Sequence, residues 1–210
     1  MKQWKPGLLL QGVPLIVRAL LPGLDAVSQL ILVGGYQFEE LKRLVMGSDR
    51  ISVVQKAKIT FVENKEYSTG MFSSVQLGVS QVQSSLLGTY IVPGDMPRID
   101  VETYNILASA LAAERGADIY IPAIQTEADE KSGEKRLKKG HPILVRQRVF
   151  SRIHGENRTA ILRDVLKQFQ SQTLVVSDTG ICVDIDEEGD VAKIDLNTPT
   201  IRYQKNGSTL

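Results

Sequence analysis

The sequence predicts an α/β fold, a three-layer sandwich in which helices cover both faces of a mostly parallel, doubly wound sheet. Short β-rich runs alternate with segments of helical spacing, which is typical of parallel strands joined by crossover helices. The chain has 210 residues, 42% of them hydrophobic and 23% charged, so it can bury one sizeable core. No internal repeat or low-complexity tract breaks this pattern, and we expect one domain over residues 1–210.

Predicted strands and helices alternate through the first half of the chain. The strands are short apolar runs, and the helices repeat apolar residues every three or four positions. Gly47 provides a stop for the first of these helices. The predicted strands are residues 29–36, 51–55 and 88–95, and the predicted helices are residues 39–47 and 71–83.

The second half continues the alternation. Asp100 is a good N-cap for a helix that ends at Gly116, and an amphipathic helix follows later in the chain. The predicted strands are residues 118–124, 141–145, 173–178 and 180–186, and the amphipathic helix is residues 157–170.

A segment dense in both charge signs spans residues 125–140. Its composition favours a solvated hairpin or a flexible loop. The alternative is a mobile flap over a substrate, in which the basic residues face an anion. Those residues are Lys135, Arg136, Lys138 and Lys139.

Composition excludes several classes of protein. A formal net charge of +1 argues against nucleic acid or an anionic membrane as the main partner. The single cysteine, Cys182, excludes an internal disulfide, and its apolar setting favours a buried structural thiol over a nucleophile. No apolar run approaches the roughly 20 residues of a spanning helix, and Pro6, Pro14 and Arg18 interrupt the first apolar stretch. We therefore expect a cytoplasmic protein.

The stretch "YIVPGDMP" ends a predicted strand with a carboxylate, Asp95. Open α/β sheets bind ligands at the carboxyl ends of their strands, and a carboxylate there suits Mg²⁺, which completes its shell with water and phosphate oxygens. Gly94 would let a ligand approach the backbone. The alternative is a turn aspartate bonded to its own backbone.

The stretch "FVENKEYSTGMFSSVQLGVS" brings polar residues to the start of a predicted helix. Gly70 would leave backbone N–H groups free to bind a phosphate or a base carbonyl, and Ser73 and Ser74 add hydroxyls. Asn64 offers an amide to a base or ribose, and Tyr67 offers a ring and a hydroxyl. Ordinary N-capping is the alternative.

Four stretches together resemble the molybdenum cofactor nucleotidyltransferases, in particular the cytidylyltransferase-like branch of the nucleotide-diphospho-sugar transferase fold. The chain's "NKEYSTGMFSSVQLG" resembles that family's NPxYxxGMxSSLxxG, and "KKGHPILV" is similar to its GxxGHPVLF. "GDMP" and the late "GICVDID" complete the set in the family's order and spacing. The resemblance spans nearly the whole chain.

The resemblance implies a Mg²⁺-dependent transfer of CMP from CTP to the phosphate of the molybdenum-pterin cofactor, with release of pyrophosphate. Transfer of GMP or another nucleotide to a different phosphorylated acceptor is an alternative, as is a non-catalytic cofactor-binding or maturation partner of a molybdoenzyme. A phosphate monoester is already ionised near neutral pH, so this transfer needs no general base.

The resemblance also assigns roles to residues. Asp95 is the expected principal Mg²⁺ ligand, with Asp186 favoured over Asp195 as the second metal contact. Lys5 would neutralise the triphosphate, and His141 could donate to an acceptor oxygen or be structural. The expected nucleotide site is lined by Asn64, Tyr67, Gly70, Ser73, Ser74 and Gly94, and the acceptor side by Gly140, His141 and Pro142.

The front of the chain departs from the family pattern. Members begin with a strand and a Gly-rich loop, LAAGxSxRMGxxK, whereas this chain begins "MKQWKPGLLL", with Met1 and Lys5 at the positions of the Met and the final Lys. The first strand and the phosphate loop are therefore expected to be missing, which would leave the strands at residues 29–36 and 88–95 without their shared neighbour. Either an upstream start or a shortened, non-catalytic relative would account for this.

Overall fold

Residues 4–113, 116–126 and 135–186 are described by the computed structural model. Short 3-10 turns at Lys5–Gly7, Tyr67–Thr69, Gln147–Val149 and Thr179–Cys182 connect the regular elements. In chain order those elements are β1 (Leu9–Leu10), β2 (Val13–Pro14), α1 (Leu15–Ala26), β3 (Leu30–Gly34), α2 (Phe38–Gly47), α3 (Val53–Ala57), β4 (Ile59–Glu63), α4 (Met71–Ser80), β5 (Gly88–Ile91), α5 (Val101–Ala112), β6 (Ile119–Gln125), β7 (Leu137–Lys139), β8 (Ile143–Arg146), α6 (Phe150–Gly155), α7 (Leu162–Leu166) and β9 (Ser171–Val175).

The predicted α/β class is confirmed, and its largest sheet is mixed. β8 lies between β5 and β6 and is antiparallel to both. β6 also pairs with β7 in antiparallel fashion and with β9 in parallel fashion. A separate parallel pair consists of β3 and β4, and β1 and β2 form a small hairpin.

The five-stranded sheet separates two apolar layers. Ile119 and Val145 pack with α4, α6 and α7 on one face. Their sequence neighbours Tyr120 and Leu144 pack with Leu107 of α5 on the other face. Because successive side chains of a strand point to opposite faces, short apolar strands can serve both layers, as the alternation of strands and helices predicts.

The strands β3 and β5 do not meet. Among the described residues β3 pairs only with β4 and β5 only with β8, so each has an edge without a strand partner. Helices connect β3 and β5 instead. Leu24 of α1 shares a core cluster with Leu32 of β3, and α1 also contacts α5. On the other face, α4 contacts β3 and packs with Ile91 of β5. Within the described residues, no strand lies between β3 and β5.

The prediction of a strand at residues 51–55 is wrong. Ser52 caps the helix α3: its side chain accepts from the Gln55 backbone, while the Gln55 side chain accepts from the Ser52 backbone. This reciprocal capping box outweighs the β-branched pair, because Val53 and Val54 are 83% and 73% exposed and bury almost nothing. The strand of this region is β4, which follows the helix.

Two later predictions also need correction. Helix α7 covers only part of the predicted 157–170, because the Asn157 side chain accepts from the Thr159 backbone and hydroxyl and holds a turn there. Within 180–186 the predicted strand is replaced by the 3-10 turn Thr179–Cys182, which Asp178 caps by accepting from Gly180 N. In both places a local side-chain hydrogen bond holds a turn where the sequence predicts a regular element.

The charged segment is a hairpin in its described part. β7 pairs with the end of β6, and Thr126 N donates to Arg136 O. The tip, residues 127–134, lies outside the described residues, as do Met1 and Asp195. In the three described ranges, no helix has the length and apolar composition needed to cross a bilayer. One domain over the whole chain stays a prediction.

Candidate active site

Asn64 organises one side of the site. It follows β4, is 4% exposed, and its backbone N–H donates to Gly34 O at 2.7 Å. Its side-chain Nδ2 donates to Ser73 Oγ and Ser74 Oγ, both at 2.9 Å, and its Oδ1 accepts from Glu66 N at 2.9 Å. One amide therefore ties the loop after β4 to the first turn of α4, and we call residues 64–74 the amide wall.

The two serines of the amide wall differ. Ser73 is buried, and its Oγ donates to Gly70 O at 2.7 Å while it accepts from Asn64. Ser74 is half-buried, and within the described residues its hydroxyl bonds only Asn64, as an acceptor. The hydroxyl proton of Ser74 is therefore available to a ligand, whereas that of Ser73 holds the turn in place.

Gly70 begins α4 with a backbone that requires glycine. Its φ of 122° and ψ of 169° lie in a region that side-chain-bearing residues rarely adopt. No side chain caps this end of the helix among the described residues, so its first amide groups remain for an anion. Tyr67 is 47% exposed and lies against Gly35, where a Cβ would collide with its ring. The sequence analysis missed Gly35, although the "VGGY" doublet was a signal.

The other side of the site is a charged cluster of three side chains from distant parts of the chain. Lys5 Nζ lies 2.7 Å from Asp95 Oδ2 and 3.1 Å from Asp186 Oδ1. Ile185 N donates to Asp95 O at 3.0 Å, which attaches the segment carrying Asp186 to the end of β5. Partial burial alone would lower the pKa of Lys5, but its bonds to the two carboxylates raise the pKa above its ordinary value. The structure thus brings together three predicted site residues.

The cluster suits a divalent cation. Asp95 Oδ1 is buried and has no hydrogen-bond partner among the described residues. The other oxygen of Asp95 and one oxygen of Asp186 both contact Lys5 Nζ, so the two carboxylates surround one cation position. The described residues contain no group of three or more acidic, histidine or cysteine side chains able to hold a metal. Mg²⁺ and Mn²⁺ often bind one or two protein carboxylates, and phosphate oxygens then fill the remaining positions of the coordination shell.

Gly140, His141 and Pro142 lie beside the charged cluster. A Cβ at Gly140 would collide with Ile181 O, and His141 N donates to that oxygen at 2.9 Å. His141 Nδ1 is 3.4 Å from Ile91 O at the end of β5. Burial lowers the pKa of His141, only partly offset by this contact and by the charges of Asp95 and Asp184. His141 is therefore a neutral side chain that joins the acceptor side to β5.

Two further features position the charged cluster. A Cβ at Gly94 would lie 2.9 Å from Ile16 Cδ1, so glycine lets the loop carrying Asp95 pack against the start of α1. Asp178, which the sequence analysis did not single out, is 4% exposed and accepts from Asp100 N, Thr103 Oγ1 and Gly180 N. Burial raises the pKa of Asp178, and the three donors oppose that shift.

The chain matches the family described as MobA-like NTP transferase domain over residues 1–174. The chain belongs to this family. It is accordingly a nucleotidyltransferase. It is 24% identical over 190 residues to the molybdenum cofactor cytidylyltransferase of Escherichia coli (strain K12), covering 90% of this chain and 86% of that protein.

Solved structures share the fold. Rv0371C of Mycobacterium tuberculosis H37Rv, in complex with manganese, superposes with a TM-score of 0.64 at 19% identity, covering 91% of each chain. CMP:2-keto-3-deoxy-manno-octonic acid synthetase complexed with CTP gives 0.67 at 12% identity, covering 90% of this chain and 89% of that one. Both similarities concern the fold, and the roles of individual site residues stay predictions.

Proposed function

We propose that this nucleotidyltransferase moves CMP from CTP to the terminal phosphate of the molybdenum-pterin cofactor and releases pyrophosphate. The observation that carries the proposal is the convergence of Asp95 and Asp186 on one cation position, with an unpartnered Asp95 oxygen left over. The cytidylyltransferase relative supports the choice of base and acceptor. Cytoplasmic location and delivery to a molybdoenzyme are parts of the same proposal.

Each side of the site contributes a distinct task. Asp95 and Asp186 would hold Mg²⁺ or Mn²⁺, which neutralises charge on the phosphates during the transfer. Lys5 adds a second positive charge from the same edge. Ser74 and the first amides of α4 donate to the nucleotide, with Tyr67 beside them. A phosphate monoester is ionised near neutral pH, so the acceptor needs no proton removed before it attacks.

Binding of nucleotide with metal tests the proposal. We expect calorimetry to show CTP binding that requires Mg²⁺ or Mn²⁺ and exceeds GTP binding. Asp95→Asn, which keeps the side-chain shape, should weaken metal-dependent binding by at least about tenfold. Asp49→Asn is a matched control, since the Asp49 side chain is 95% exposed. Thermal unfolding of each variant checks the fold.

The outcomes separate the candidate functions. CTP-selective, metal-dependent binding followed by pyrophosphate release with the cofactor supports the proposal. A preference for GTP would move it to the guanylyl alternative. Cofactor binding without nucleotide binding would instead support the non-catalytic alternative.

A further inference from the structure

The ammonium group of Lys5 occupies the position where the two carboxylates converge. It comes from the turn Lys5–Gly7, whereas Asp95 follows β5 and Asp186 follows the turn Thr179–Cys182. The side chains of Lys5 and Asp95 are 32% and 28% exposed, so they are partly screened from water, and Asp186 is 73% exposed. One ammonium group thus bonds two carboxylates, and a divalent ion would bring twice its charge to the same position.

A divalent cation and this ammonium group compete for the same oxygens. Asp95 Oδ2 is 2.7 Å from Lys5 Nζ, which leaves no room for a second cation on that side of the oxygen. Two positive ions within a few ångströms also repel one another, the more so in a partly desolvated site. The divalent ion neutralises both carboxylates, whereas the ammonium group neutralises one.

We propose that the ammonium group of Lys5 occupies the metal position when no metal is bound. When the metal binds, Lys5 leaves the carboxylates and moves to the triphosphate of the nucleotide. The nucleotide gives the displaced ammonium group a new anionic partner and the metal additional oxygen ligands. Metal and nucleotide therefore strengthen each other's binding, and part of this coupling passes through the Lys5 side chain. This inference rests on the proposed function for the nucleotide, but the competition between Lys5 and the metal does not depend on it.

The lone tryptophan gives a direct readout. Trp4 is the chain's only tryptophan, it precedes Lys5, and it packs against the cluster formed around α1. Quenching of its fluorescence by Mn²⁺ therefore measures metal binding without any catalytic assay. Lys5→Gln removes the charge and keeps much of the side-chain length. Lys42→Gln is the matched control, because Lys42 is an exposed lysine of α2 to which no role in the site is assigned.

The first experiment uses Mn²⁺ alone. Lys5→Gln should bind Mn²⁺ roughly fivefold to tenfold more tightly than the unchanged protein, because the metal no longer displaces an ammonium group. Lys42→Gln should bind it as the unchanged protein does. An equal gain in both variants would mean a general charge effect and would overturn the proposal, as would unchanged or weaker binding in Lys5→Gln. Lys5→Met repeats the measurement if Lys5→Gln does not fold.

The second experiment adds CTP. In the unchanged protein CTP should lower the Mn²⁺ dissociation constant by about fivefold or more. In Lys5→Gln this gain should be clearly smaller, because only the phosphate oxygens then contribute to it, and CTP itself should bind more weakly. A gain of the same size in Lys5→Gln would overturn the transfer of Lys5 to the nucleotide. If CTP fails to bind any variant, the proposed function fails, and the Mn²⁺ titrations still decide whether Lys5 and the metal compete.

Discussion

The amide wall and the charged cluster are organised in opposite ways. In the amide wall the Asn64 side chain uses both amide hydrogens and its oxygen on partners within the loop 64–74. In the charged cluster one lysine bonds two carboxylates, and Asp95 Oδ1 has no partner in the structure. A buried polar atom without a partner costs free energy, so its pairing is left to a ligand.

The difference teaches which part of the site is formed before the ligand arrives. The amide wall is held by neutral hydrogen bonds that centre on the buried Asn64 and Ser73, so its geometry belongs to the folded chain. The charged cluster is held by ion pairs between partly exposed groups, which contribute little and exchange partners readily. The next three variants separate these contributions, one side at a time.

Asn64→Ala should have the largest effect. It removes the amide that joins Ser73, Ser74 and Glu66, and it leaves the Glu66 N–H without its acceptor. We expect a loss of about 2 kcal/mol in the free energy of unfolding, measured by urea denaturation. Asn105→Ala, in an exposed position on α5, should change it by less than about 0.5 kcal/mol. A loss at Asn64 no larger than at Asn105 would mean that the wall does not depend on this amide.

Ser73→Ala and Ser74→Ala should differ in kind. Ser73→Ala should cost about 1 kcal/mol of stability, because the buried Ser73 hydroxyl no longer donates to Gly70 O. Ser74→Ala should cost less than about 0.5 kcal/mol, yet it should weaken CTP binding more than Ser73→Ala does. Urea denaturation and calorimetry measure the two effects. The same ranking in both assays would remove the distinction between a structural and a ligand-facing serine.

His141→Gln should have the smallest effect, visible only in the pH dependence of stability. Burial lowers the pKa of His141 below its ordinary 6.5. Between the lowered value and 6.5 the unfolded chain binds more protons than the folded chain, so the free energy of unfolding rises with pH across that window. His141→Gln should flatten this rise, and His154→Gln, at an exposed position, should leave it in place. A rise that persists in His141→Gln would assign it to other groups.

The sequence supports the locations of site residues better than their contacts. Asp95 follows a predicted strand, and Asn64 to Ser74 lie around the start of a predicted helix, so periodicity predicts that they lie near the carboxyl ends of strands. The ion pair of Lys5 with Asp186 joins residues 181 positions apart, and no local pattern encodes it. Asp178 escaped notice for the same reason, since two of its three donors lie on a segment more than 70 positions away.

Errors in the predicted elements came from caps. Residues 51–55 are rich in β-branched residues, and that pattern predicts a strand when the side chains are buried in a sheet. Val53 and Val54 are exposed, so burial does not favour a strand here. The Ser52–Gln55 capping box instead determines that the segment is helical. The signal S-x-x-Q was present in the sequence and outweighs an apolar pair that faces solvent.

The edge of β3 that has no strand partner in the described residues should be detectable by amide hydrogen exchange. Leu30 N donates to Lys58 O, and Gly34 O accepts from Asn64 N. The backbone groups of the even-numbered residues of β3 therefore face β4, and the amides of Ile31 and Val33 face the opposite edge, which lacks a strand partner in the described residues. Within one strand, protected and unprotected amides therefore alternate with a period of two. β6 has partners along both edges, so its amides are protected in succession. We therefore expect solvent to reach the amides of Ile31 and Val33 from the edge of β3 that lacks a strand partner in the described residues.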